Sequence, residues 1–137
     1  MDFIISIPTD ENMTLIGRHI KDFILDDEDL QKEKFLIAIN KNRLIGFGRL
    51  RNHKDAIELC SLGVIPEFRS QGVGKKIVNE LIKKASSDLY VVCIIPDFFR
   101  KFGFNIVTQY PESMKRKHQM CTSQFVVEEP YCVMRLI

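Results

Sequence analysis

No apolar run in this chain approaches the roughly 20 residues needed to cross a bilayer, so no membrane-spanning helix is expected. An excess of one charge is missing too. Twenty Lys and Arg stand against 18 Asp and Glu, and the net charge of +2 gives no argument for a nucleic-acid partner. The amino terminus lacks a basic segment ahead of an apolar one, so it does not read as a signal peptide, and the cytoplasm is the default expectation. Cys60, Cys93, Cys121 and Cys132 form no C-x-x-C and have no His or Cys partner at zinc-finger spacing, so no metal is expected and the cysteines read as buried thiols. Repeats, low-complexity tracts and linkers are absent.

What is present is one domain's worth of chain, 137 residues with 45% apolar content, read as a single domain over residues 1–137. Phe3 to Ile7 reads as a strand, followed by a helix opening at Asp10 and Glu11 with Leu15, Ile16, Ile20, Phe23 and Ile24 on one face. Asp26 to Asp29 reads as a solvated acidic loop or short helix. Phe35 to Ile39 and Leu44 to Leu50 form a hairpin, and Ile57 to Val64 is the next strand. Val73, Ile77, Val78, Leu81, Ile82 and Ala85 stripe the clearest helix. Leu89 to Ile95 reads as a strand covered on both faces, Pro96 to Gly103 as a short helix, and Phe104 to Val107 and Tyr131 to Leu136 as the last strands.

The most informative stretch is R-S-Q-G-V-G-K-K, Arg69 to Lys76, between the strand ending at Val64 and the helix starting near Val73. Gly72 and Gly74 let a ligand approach the backbone, and the helix start offers unpaired N–H groups to a phosphate. A Walker A loop does not fit, because Arg69 stands five before Gly74 and Lys76 follows Lys75. A dinucleotide fingerprint fails at Ile77, where a small residue is required. The pattern [R/Q]-x-x-G-x-[G/A] after an apolar strand is matched by Arg69, Gly72 and Gly74, with Val64 upstream.

On these residues, and on F-F-R-K-F-G-F from Phe98 to Phe104, the sequence resembles the GNAT acetyltransferase superfamily. The resemblance runs from about Phe35 to Phe104. It implies an α/β fold with a central mixed sheet of six or seven strands and about four helices. It also implies acetyl-CoA as cosubstrate and direct transfer of the acetyl group to a primary amine. The Phe98-Phe99 pair looks like the N-acetylglutamate-synthase-like branch, which acetylates an amino acid. The expected acceptor is therefore a small-molecule amine, with no nucleic acid and no membrane as partner, and a homodimer is allowed for. The alternatives are an acetyltransferase for protein lysines or amino termini, and an acyl-CoA-binding sensor with little catalysis.

The resemblance assigns cofactor contacts to Leu62, Val64, Arg69, Gln71, Gly72, Val73, Gly74, Lys75, Lys76 and Phe99. An ammonium acceptor must lose a proton before it attacks, and a carboxylate can take it. Glu58 is the candidate, because a charge inside an apolar strand must face a cleft or a partner. Many family members have a tyrosine where this chain has Phe99, so the proton for the departing sulfur is expected from Tyr110, with Tyr131 or water as alternatives. Lys115-Arg116-Lys117-His118 reads as a basic loop that could clamp an acceptor carboxylate. Arg49 and Arg51 are alternative clamps, and an acidic edge at Asp26 to Asp29 would suit a cationic acceptor. His19 and His53 are assigned no catalytic part.

Overall fold

The computed structural model describes residues 1–137. Its elements are β1 (Ile4–Ser6), α1 (Asp10–Asp22), β2 (Phe35–Asn40), β3 (Arg43–Asn52), β4 (Ile57–Val64), α2 (Val73–Lys84), β5 (Leu89–Cys93), α3 (Pro96–Arg100), β6 (Phe104–Ile106), α4 (Glu112–Gln124) and β7 (Cys132–Leu136). The strands make one seven-stranded mixed sheet in the order β1-β2-β3-β4-β5-β7-β6, with β4 and β5 parallel. The chain divides into two compact units, residues 1–50 with 60–84, and residues 51–59 with 85–137.

In the first unit, α1 begins at a reciprocal cap. The Asn12 N–H donates to Thr9 Oγ1 at 3.1 Å and the Thr9 N–H to Asn12 Oδ1 at 2.9 Å, satisfying two donors at the helix start. Ile16 and Ile20 turn inward against Phe35, Ile37, Leu44 and Phe47, each buried side chain contributing about 1.5–3 kcal/mol. The expected apolar face is narrower than the sequence implied: Leu15 and Ile24 are 38% and 47% exposed. For Ile24 the reason is the helix end. Ile24 adopts φ +57°, and the N–H groups of Ile24 and Leu25 bond back to Lys21 and Ile20, a left-handed closure usually made by glycine.

Lys41 and Asn42, both at positive φ, turn β2 into β3. Helix α2 buries Val73, Ile77, Val78 and Leu81. Gly46 makes room for it on the sheet, since a Cβ there would stand 2.8 Å from Val73 Cγ1.

In the acidic run at Asp26 to Asp29 the last three residues are exposed, while Arg49 holds the loop by its backbone. Asp26 is buried, and Arg49, 1% exposed, donates Nη2 to Asp26 O at 3.2 Å, Nη1 to Asp29 O at 3.0 Å and Nε to Ser61 Oγ at 3.0 Å. Ser61 Oγ in turn donates to Asp26 O at 2.7 Å. Arg49 therefore spends its guanidinium on holding this loop and is no anion clamp; Arg51 is half-buried.

In the second unit, the start of β4 pairs with β5 through Ile57↔Leu89, Glu58↔Tyr90 and Leu59↔Val91. Phe99 is buried edge-on against Phe98 and Phe104. Gly103, at φ +101°, closes the turn after α3. Residues 112–124 form a helix where the sequence read a basic loop. Its inward face is Ser113, Met114, Lys117 and Cys121, half of it polar, so apolar spacing does not reveal it.

Candidate active site

The glycine turn of the first unit sits directly ahead of α2. Ser70 and Gly72 adopt φ +63° and +86°. The first helical bond runs from the Lys76 N–H to Gly72 O at 3.0 Å. The N–H groups of Gly72, Val73, Gly74 and Lys75 precede that bond and are the donors a helix start leaves without an intrahelical partner. A Cβ built on Gly72 meets nothing within 4 Å, so space lies open before them. This cradle fits a pyrophosphate, and the positive end of the helix dipole adds to the fit.

The side chains around the turn are placed as follows. Lys75 and Lys76 are exposed at its rim, whereas the Val73 side chain is buried, leaving only its backbone for a ligand. Arg69 braces the turn: its Nε donates to Val64 O at 2.8 Å and its guanidinium lies 5.1 Å from the Phe23 ring centre. Gln71 Nε2 donates to Glu67 O at 3.2 Å. Leu62 and Val64 are half-buried on β4.

The second unit holds Glu58. It is 0% exposed, and both carboxylate oxygens are engaged. Oε1 lies 2.9 Å from His53 Nε2, and Oε2 accepts from Lys117 Nζ. Burial pushes the Glu58 pKa up. The His53 hydrogen bond and the Lys117 ammonium outweigh it and hold the group below the ordinary carboxylate value. One turn before Lys117 on the same face of α4, Ser113 binds Asp55 through both its N–H and its hydroxyl. These bonds hold Asp55 below its usual pKa, the hydroxyl contributing most.

Thus α4 is fastened to the loop before β4 and to β4 itself by two polar anchors four residues apart. The basic run is not one clamp, because Lys117 is committed to Glu58 and His118 Nε2 lies 2.9 Å from Tyr131 O, while Lys115 and Arg116 stay exposed. Tyr110 is half-buried against the cluster of Ala56, Tyr90, Met114 and Val133. The Tyr131 phenol is pushed above its usual pKa by burial first and Cys121 second, so it stays protonated. His53, assigned no catalytic part from the sequence, and Lys117, read there as part of a basic loop, are brought onto Glu58 by the fold. The Ser113-to-Lys117 spacing of one helical turn, after Pro111 and the helix-favouring Glu112, was the available signal.

In comparison with known proteins the chain is similar to acyl-transfer enzymes. The model of the Acetyltransferase (GNAT) family matches residues 4–104. An uncharacterized N-acetyltransferase of Chlorobaculum tepidum is 24% identical over 102 residues, covering 69% of this chain and 66% of the relative. N-acetylglutamate synthase from Neisseria gonorrhoeae, solved with coenzyme A and N-acetyl-glutamate, superposes with a TM-score of 0.79 at 16% identity. That match covers 100% of this chain but only 36% of the synthase. Rv2747 from Mycobacterium tuberculosis, solved with CoA, superposes with a TM-score of 0.76 at 17% identity over 98% of both chains.

Proposed function

Since this chain belongs to the acetyltransferase (GNAT) family, we propose that it is an acyltransferase that acetylates the primary amine of a small molecule such as an amino acid. The observation that carries the reading is the Gly72 turn, with open space where a side chain would stand and a row of unpaired N–H groups behind it. Those N–H groups hold the pyrophosphate of coenzyme A, and Lys75 and Lys76 add positive charge at the rim. Acetyl-CoA, when bound, supplies the thioester whose C–S bond breaks as the C–N bond to the amine forms.

The amine arrives protonated and must lose a proton. Glu58 supplies the negative charge for that step, standing on the strand that leads to the glycine turn. Phe99 packs in an aromatic cluster with Phe98 and Phe104 and offers no proton. The departing sulfur takes its proton from Tyr110, Tyr131 or water. The acceptor class is suggested by the synthase whose fold this chain shares, which was solved with N-acetyl-glutamate.

The test is a thiol-release assay with acetyl-CoA across amino acids, polyamines and peptides. Turnover with free amino acids is expected. Turnover confined to peptides would replace this reading with a protein-modifying one. Binding of coenzyme A without turnover on any amine would make the chain a sensor.

A further inference from the structure

Glu58 is poorly placed to take a proton by itself. Its two oxygens are occupied by His53 and Lys117, and its charge is already balanced by the Lys117 ammonium. With its pKa held below the ordinary range it is also a weak base. The His53 side chain is 19% exposed against 0% for Glu58, so the imidazole is the member of the pair that meets solvent.

A carboxylate only accepts hydrogen bonds. In the neutral imidazole, Nε2 therefore carries the hydrogen toward Glu58, and Nδ1 is left with the lone pair. The ring is held in place, since the His53 N–H donates to Ala56 O at 2.9 Å and Asp55 beside it is tied to Ser113. An imidazole is also intrinsically a stronger base than a carboxylate.

We infer that His53 takes the acceptor's proton on Nδ1, with Glu58 as the positioning residue that fixes the imidazole's tautomer and Lys117 fixing Glu58. The inference rests on the amine-acetylation reading and deepens it. One ammonium proton moves to Nδ1 and then to water. The imidazolium formed on the way is stabilised by Glu58 across Nε2–H. The neutral amine forms the C–N bond, and the second proton it sheds ends on the departing sulfur. The charged groups around the imidazole are Glu58 on β4, Asp55 in the preceding loop and, beyond Glu58, Lys117 on α4.

Two measurements test it. The first needs no turnover: nitrogen-15 correlation spectra of the wild-type imidazoles, with His53→Gln used to assign the signal. The Nε2–H tautomer is expected for His53, and an Nδ1–H tautomer overturns the inference whether or not the enzyme turns over. The second is the pH profile of kcat/KM. His53→Gln should lose on the order of 10²–10⁴-fold near neutral pH, and the loss should shrink at high pH, where the amine is already neutral. Glu58→Gln should lose less than His53→Gln, because the imidazole that takes the proton is still present. A folded His53→Gln protein with wild-type rates, beside an inactive Glu58→Gln, returns the base role to Glu58 and leaves amine acetylation standing. A wild-type protein that binds coenzyme A and acetylates no amine overturns the acetylation reading and this proton route with it.

Discussion

Lys117 on α4 donates its ammonium to the buried carboxylate of Glu58 on β4, a bond that joins residues 59 positions apart. Both side chains are withdrawn from water, 7% and 0% exposed. Two such charges cost several kcal/mol each to desolvate, and the pair is tolerable only because each neutralises the other. The bond therefore locates α4, and through α4 it sets the state in which Glu58 meets His53.

Removing one partner should be worse than removing both. Lys117→Met leaves an uncompensated buried carboxylate and should cost about 3–5 kcal/mol. The double variant Lys117→Met with Glu58→Leu should recover much of that loss, because no buried charge remains. Urea denaturation of the wild type, both single variants and the double variant gives the coupling. Additive losses would show that the pair is not coupled in this way.

The two depressed carboxylates set the acid limit of stability. The ordinary values are 4.5 for Glu58 and 3.8 for Asp55, and the folded protein holds both groups lower. A carboxylate depressed on folding binds fewer protons folded than unfolded, so its stabilisation is complete above the unfolded value and fades as pH falls. The urea midpoint should be level from about pH 7 to 5 with respect to these groups and drop below about 4.5. Glu58→Gln with Asp55→Asn should lower the midpoint at neutral pH and make the acid drop shallower. An unchanged slope in the double variant would rule these two groups out as its source.

Gly72→Val should weaken the proposed coenzyme A site. It places a branched side chain in the open space before α2 and forces a valine to φ +86°. Calorimetry should record at least a tenfold weaker Kd for coenzyme A, about 1.4 kcal/mol. Unchanged affinity in a folded variant would move the cofactor elsewhere.

The helix over 73–84 and most strand positions were legible from apolar runs and spacing, whereas the mixed sheet of six or seven strands followed from the family resemblance. The glycine turn was legible because few residues adopt its backbone. What escaped notice rests on polar contacts. Helix α4 docks through Ser113 and Lys117, which look like surface residues until Asp55 and Glu58 are seen opposite them. Arg49 looked like an anion clamp because its acceptors, two backbone carbonyls of the loop at 26–29 and the Ser61 hydroxyl, lie far from it in sequence. The end of α1 was hidden by Ile24, which fills a left-handed position without a glycine to announce it.

Phe99→Ala should act on stability first. The ring is 3% exposed and packed edge-on against Phe98 and Phe104, at centroid distances of 5.0 and 5.6 Å. Loss of a buried phenylalanine costs about 3–5 kcal/mol. Phe99→Tyr tests chemistry separately, since its hydroxyl restores the group that many family members have at that place. Thermal unfolding should separate the alanine variant clearly from wild type; a negligible shift would mean the aromatic cluster is not part of the core.

The last prediction concerns Cys93, which faces Cys132 directly across β5 and β7 with the sulfurs 4.0 Å apart. Burial first, and the neighbouring Cys132 second, push the Cys93 thiol up to about 12. Only the thiolate reacts with an alkylating agent. At pH 8 a thiol at that value is ionised in about one molecule in ten thousand, against roughly a quarter for a free cysteine. Iodoacetamide should therefore label Cys93 on the order of 10³-fold more slowly in the native protein than in urea. Peptide mass spectrometry over a time course reads each cysteine separately. Native labelling of Cys93 as fast as in urea would mean that this end of β5 opens readily, and that the core between β5 and β7 is looser than its packing implies.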